Sequence, residues 1–305
     1  MFDFSTTIYL WLEQCIKPKV KSSTLDAYKR RLEKYIIPFF KTKQITNICV
    51  KDINEFSNYL LTQSLAPATI QGIVSILTFF FEYLTKEEII HNNPCSNIIL
   101  PKRKVKKLEI FTKIEQRLII NELIKEGKPR SYLVLFALLT GLRLSELCAL
   151  TWNQVDINNK IVHISASTRR IKEGNKTRVI VDTPKSDTSI RDVPLTKYLI
   201  SILIKLKENN SNYVFCKNNG QRYDNRSIQK YFNLLLKKLE IKQSNFHTLR
   251  HTFATSAIES GMDIKTLSII LGHSNISTTM NLYVHPNAAY MRKSMEILST
   301  QFIKK

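Results

Sequence analysis

Pro101-Lys102-Arg103-Lys104-Val105-Lys106-Lys107 is the stretch that divides this chain. It carries five positive charges in seven residues, a density no folded core accommodates, so it reads as an exposed linker. The segments on either side differ in character. We expect residues 1–100 to form one domain, 101–110 a basic linker and 111–305 a second domain. With 305 residues, 43% of them hydrophobic, the chain is long enough to build two cores.

Upstream of the linker, apolar residues recur at helical spacing. Ser23-Thr24 offers a cap for a helix bearing Leu25, Tyr28, Leu32, Tyr35 and Ile36, which Pro38 should stop. Ile53, Phe56 and Leu60 mark a shorter helix. Pro67 opens a longer one, whose Ile70, Ile73, Leu77, Phe80, Phe81 and Leu84 form an apolar stripe, and Asn93-Pro94 closes the region. The stripe reads as core, and nothing in these residues has a catalytic pattern.

Downstream, Thr112-Lys113-Ile114-Glu115 is a capping box that opens a helix closed by Gly127. A buried helix over residues 131–140 follows, and Gly141 turns the chain. The pattern then becomes β-rich at Ile161-Val162-His163-Ile164 and Arg178-Val179-Ile180-Val181, with a polar turn leading to Ile190 and Val193. From Thr196 helical spacing returns, interrupted by Tyr213-Val214-Phe215 and the Asn218-Asn219-Gly220 turn. The expected fold is mainly α with a small antiparallel β-sheet, in two domains.

Formal net charge is +21, from 46 Lys and Arg against 25 Asp and Glu. Residues 1–100 hold 11 basic and 9 acidic side chains, net +2, so the remaining 35 and 16 give residues 101–305 net +19. Such an excess implies a polyanionic partner: nucleic acid first, an anionic membrane surface second. Lys102, Arg103, Lys104, Lys106 and Lys107 would then lie as a strap along phosphates, the alternative being a merely solvated run. Five scattered cysteines without a C-x-x-C pair argue against a disulfide framework or zinc site and fit a reducing cytosol. The start Met-Phe-Asp-Phe lacks the basic opening of a signal peptide, and the most apolar stretch, residues 131–142, is too short to cross a bilayer. A protein of the bacterial cytoplasm or nucleoid, without a membrane partner, is expected.

Cleaving a DNA phosphodiester without a metal imposes clear demands. Charge gathers on the nonbridging oxygens in the transition state, so planar cationic donors should hold them. A nucleophile must attack in line, and an acid must protonate the leaving oxygen. The second domain holds residues suited to each task. Thr140-Gly141-Leu142-Arg143-Leu144-Ser145-Glu146-Leu147 resembles the first arginine box of the tyrosine recombinase (phage integrase) family. His247-Thr248-Leu249-Arg250-His251-Thr252-Phe253-Ala254-Thr255 resembles its second box, and Leu271-Gly272-His273-Ser274 with Thr278-Thr279 and Tyr283 its third. Thr183-Pro184-Lys185-Ser186 through Pro194-Leu195 is similar to the hairpin that carries the family's lysine. Any one box is weak; four in order, across residues 112–285, are specific. The helical first hundred residues look like the family's core-binding (SAM-like) domain, so the resemblance spans nearly the whole chain.

That resemblance implies the roles. Arg143 and Arg250 would fork onto the scissile phosphate, a geometry that guanidinium satisfies and ammonium does not. Glu146, three residues after Arg143, would orient or neutralise it. Lys185 would be the general acid for the leaving 5′-oxygen, singled out from Lys172 and Lys176 only by its Thr-Pro-Lys-Ser context. His247 and His273 would donate to the phosphate or assist proton transfer, while His251 reads as structural. Tyr283, ten residues after His273, would be the nucleophile forming a 3′-phosphotyrosine, with Tyr290 its nearest rival. No metal, ATP or other cofactor is implied.

The resemblance also implies partners: double-stranded DNA, a homotetramer on synapsed DNA from a monomer in solution, and accessory DNA-bending or directionality factors. The apolar C-terminal segment, with Met291, Met295, Ile297 and Leu298, would dock either on a neighbour or on its own domain. Within the family, the length of residues 165–194 and the wording Arg169-Arg170-Ile171-Lys172 resemble integrases of conjugative transposons and phages. The start of the chain at the core-binding domain favours instead a Xer-type chromosome or plasmid dimer resolvase. A non-enzymatic helix-turn-helix-like DNA-binding protein is the rival from another class, suggested by Ser260-Gly261-Met262-Asp263-Ile264-Lys265 through Thr278-Thr279. A DNA-independent phosphotransferase is disfavoured, since the chain has no phosphate-cradling glycine loop.

Overall fold

The computed structural model describes residues 3–102, 108–173, 176–182, 189–207, 211–283 and 288–303. A few side chains within these ranges, including those at 171–173, 176, 278 and 281–283, fall outside the description. Residue contacts define two compact units, Met1–Lys106 with Ile171–Arg178, and Lys107–Arg170 with Val179–Lys305.

The first unit is built from α1 (Phe4–Trp11), α2 (Ser22–Arg31), α3 (Ile37–Phe40), α4 (Val50–Thr62) and α5 (Pro67–Lys86). Asp3 caps α1 by accepting from the Thr6 amide at 2.9 Å. Pro67 sits at the start of α5, where its missing N–H costs nothing. Every residue of the expected α5 stripe is fully buried, as are Ile53, Phe56 and Leu60 of α4. The core is aromatic: Phe4 packs on Phe40 and Phe80 with ring centroids 5.2 and 5.7 Å apart, and Trp11 meets Phe80 at 5.4 Å. By length and composition α5 could cross a membrane, which the expectation based on residues 131–142 overlooked; its apolar face is spent on this core instead.

Two sequence expectations fail here. The helix over Leu25–Ile36 begins at Ser22 with Lys21 as its N-cap, so Ser23-Thr24 falls inside its first turn and not at the cap. Nor does Pro38 stop it. The turn Leu32–Ile36 widens to i→i+5 hydrogen bonds, and α3 restarts with Pro38 in its first turn, where no amide is required.

The second unit contains α6 (Lys113–Glu126), α7 (Pro129–Thr140), α8 (Leu144–Leu147), α9 (Lys197–Lys207), α10 (Asn225–Lys238), α11 (His247–Glu259), α12 (Ile264–Leu271), α13 (Ile276–Tyr283) and α14 (Ala288–Ile303). The capping box of α6 forms as expected: Glu115 accepts from the Thr112 amide at 2.7 Å, and Gly127 adopts the left-handed conformation at the other end. Strands β1 (Val155–Asp156), β2 (Ile161–Ile164) and β5 (Arg191–Pro194) make an antiparallel sheet in the order β1-β2-β5. β3 (Ser167–Glu173) and β4 (Lys176–Asp182) form a separate two-stranded sheet. In β5 the alternation buries Arg191 and Val193, and Arg191 lies opposite Ile164. An arginine therefore occupies a core-facing strand position.

Candidate active site

Gly141 ends α7 in the left-handed conformation, with φ 68°. A methyl group there would come within 2.5 Å of Phe253 and 2.8 Å of Leu271, so both backbone angle and space demand glycine. The turn releases Arg143 as the N-cap residue of α8, and the Glu146 carboxylate returns to accept from the Arg143 amide at 2.9 Å. Arg143 Nη1 donates to Glu146 Oε1 at 2.8 Å. The arginine remains about one-third exposed, whereas Glu146 is buried.

Gly272 closes α12 in the same way, with φ 65°. Around this helix end three successive carbonyl oxygens each receive a different arginine. The Ile270 oxygen accepts from Arg191 Nε at 2.6 Å, the Leu271 oxygen from Arg250 Nη2 at 2.7 Å, and the Gly272 oxygen from Arg143 Nη2 at 3.0 Å. A helix C-terminus carries partial negative charge and unpaired carbonyls, so it is a natural seat for cations. Arg250, on α11, is buried and also donates from Nη1 to the Gly141 oxygen at 2.9 Å. The two arginine boxes, 107 residues apart in the chain, are thus tied to one another through two glycine turns.

Two histidines border this cluster. His273 Nδ1 lies 2.8 Å from the Thr279 hydroxyl on α13, which leaves Nε2 as the nitrogen available to a ligand. Desolvation first, then the charges of Arg250 and Arg143, push its imidazole down to about 4. His247 opens α11 as an exposed residue, yet desolvation of its imidazole first, then the charges of His251, Arg250 and Arg143, takes it down to about 4 as well. His251 packs edge-on against His247 at 4.6 Å. Both candidate histidines are neutral at neutral pH.

Glu146 is the opposite case. Burial opposes its charge, but the Arg191 hydrogen bond and the positive charges of Arg191 and Arg143 prevail and hold the carboxyl below its ordinary range. Arg191 forks onto it with 3.1 and 3.0 Å bonds, both side chains being only 3% exposed. Sequence reading missed Arg191. Its one signal was its place in the Arg191/Val193 alternation, an arginine facing inward.

The structure therefore brings Arg143, Glu146, Arg250, His247 and His273 into one unit, around two glycine turns. α13 ends at Tyr283, whose side chain lies outside the described residues. Lys185, Arg103, Lys104, Lys106 and Lys107 lie outside them altogether, and Lys102 is exposed.

Comparison with known proteins decides the family. Residues 109–289 match the model of the phage integrase family, and residues 3–61 match the N-terminal SAM-like domain of phage integrases. The chain belongs to the phage integrase family. It is a tyrosine recombinase, an enzyme that cuts and rejoins DNA site-specifically, and this displaces the non-enzymatic reading. The tyrosine recombinase XerD of Oceanobacillus iheyensis is 31% identical across 91% of this chain and 92% of its own length. The ICEBs1 integrase of Bacillus subtilis is 27% identical across 93% of this chain and 79% of its own. In fold, the recombinase is similar to the Tn1549 transposon integrase solved with transposon right-end DNA, with TM-score 0.82, 23% identity, and 96% and 99% of the two chains covered. The mainly helical fold, with a SAM-like domain before the catalytic one, matches the expectation from sequence.

Proposed function

We propose that this recombinase is the integrase of a mobile element, cutting duplex DNA through a 3′-phosphotyrosine on Tyr283. The observation that carries the chemistry is the joining of Arg143 and Arg250 through one helix end, which brings two sets of guanidinium N–H donors together. Those donors hold the two nonbridging oxygens of the scissile phosphate, where charge grows as the fifth bond forms. Neutral His273 and His247 donate hydrogen bonds to the same phosphate without adding desolvated charge. Tyr283 attacks phosphorus and releases its phenolic proton to water, while Lys185 protonates the departing 5′-oxygen. The covalent bond conserves the phosphodiester's energy, so rejoining requires no ATP or metal.

Both domains bind DNA, residues 1–100 and 111–305, and the basic linker 101–110 lays its Lys102, Arg103, Lys104, Lys106 and Lys107 along the phosphates. The enzyme works in the cytoplasm as a homotetramer on synapsed DNA, helped by accessory factors. Mobile-element use is supported by the likeness to the ICEBs1 and Tn1549 integrases. The XerD likeness supports the second reading, a dimer resolvase.

Trapping the covalent intermediate tests the chemistry. Nicked suicide DNA from candidate attachment sites should give a denaturant-resistant adduct with the wild type and none with Tyr283→Phe. An adduct that persists in the variant moves the nucleophile elsewhere. Recombination of element ends, against that of chromosomal resolution sites, separates the two biological readings.

A further inference from the structure

Arg191 is the least expected residue in the second unit: a cation on a core-facing strand position, 3% exposed, 45 residues from its acidic partner. Its donors are distributed in a particular way. Nη1 and Nη2 take the two oxygens of Glu146, Nε takes the Ile270 oxygen, and Nη1 also reaches the Ser189 oxygen at 3.0 Å. The opposite edge of the same carboxylate holds the Arg143 amide and Arg143 Nη1. Arg143 in turn donates to the Gly272 oxygen, two residues beyond the carbonyl that Arg191 holds. Arg143 is therefore gripped at both ends of a frame whose corners Arg191 joins.

Gly272 shows how tightly the frame is drawn. A methyl group at its Cα would lie 2.9 Å from Arg191 Nη1 and 3.0 Å from its Cδ and Cζ. The third box thus needs glycine both for its left-handed turn and for the passage of Arg191.

We infer that Arg191 is a positioning residue for cleavage, which fixes Glu146 and the α12 end so that Arg143 is held ready for phosphate. It touches no reacting atom. The inference rests on the phosphate-binding role proposed for Arg143. Without Arg191, the Glu146 carboxylate would keep Arg143 alone of these partners, and the helix end whose Gly272 oxygen seats Arg143 would lose its tie to Glu146. Lysine cannot replace Arg191, because one ammonium cannot fork onto a carboxylate and reach a carbonyl behind it.

Two readouts on Arg191→Gln and Arg191→Lys test this. The first needs no cleavage: the Arg143 guanidinium NMR signals, assigned with Arg143→Lys, should be sharp and slowly rotating in the wild type and averaged in Arg191→Gln. The second is single-turnover cleavage of nicked DNA at saturating protein. Arg191→Gln should slow it about a hundredfold, as expected for a displaced catalytic group, with DNA affinity unchanged. Arg191→Lys should recover only a minor part. In a Glu146→Gln background, Arg191→Gln should add little further loss, because both act through the same frame. Arg143 signals that stay ordered in Arg191→Gln overturn the inference, as do losses that add fully in the double variant. A loss confined to the folded fraction, with the rate per folded molecule unchanged, also overturns it. Loosened Arg143 signals in a protein whose wild type cleaves no DNA support the positioning and refute the functional reading instead.

Discussion

The two cores of this recombinase are built on opposite principles. Among the described residues, the first unit buries a single polar side chain, Ser57, inside packed aromatic and aliphatic groups. The second buries Glu146, Arg191 and Arg250 together with a series of hydroxyls. Apolar burial is non-directional and contributes roughly 25 cal/mol per Å² wherever shape allows. Buried charge is costly unless every donor and acceptor is met. The first core therefore supplies stability to its own unit, while the second exchanges part of its stability for a fixed arrangement of arginines.

Variants can sharpen that contrast. The largest effect should come from Arg143→Ala, which removes the phosphate donor proposed above and leaves Glu146 paired with Arg191. Cleavage should fall by about 10²–10³-fold with little change in melting temperature, read by single-turnover assay beside calorimetry. Arg250→Ala should match that loss of rate and also destabilise the unit, because the Gly141 and Leu271 oxygens lose buried partners. Next is Phe80→Ala, expected to cost about 3–5 kcal/mol in denaturant unfolding, with a cost that does not depend on pH or salt.

A smaller effect should follow from Gly141→Ala, about 1–3 kcal/mol, from a strained angle and the overlap with Phe253 and Leu271. Acid should separate the cores last. His247 and His273 are held at about 4, below the ordinary histidine value, so the unfolded chain binds protons first as pH falls. The stability they contribute is complete above the unfolded value near 6.5 and is lost as pH drops toward 4. The first unit's only described histidine, His91, is exposed, and the fall should therefore track probes in the second unit.

The same contrast explains what could be read from sequence. The stripe Ile70 to Leu84 and the Thr112-Glu115 box are local patterns, and both appear in the structure as expected. Pro38 misled because a widened turn, invisible to periodicity, absorbs its missing amide. Arg143, Arg250 and His273 stood out by motif spacing. Their arrangement around the carbonyls of α12 did not, because each bond links residues far apart in the chain. Arg191 was illegible for the same reason: its meaning comes from Glu146, and no local pattern records a long-range partner.

The central claim is that Arg143 and Arg250 act by neutralising charge on the scissile phosphate. Replacing one nonbridging oxygen of that phosphate with an uncharged methyl group tests it most directly. The account predicts that Arg143→Ala, crippled on ordinary DNA, cleaves the methylphosphonate at nearly the wild-type rate. An equal penalty for the variant on both DNAs would contradict it.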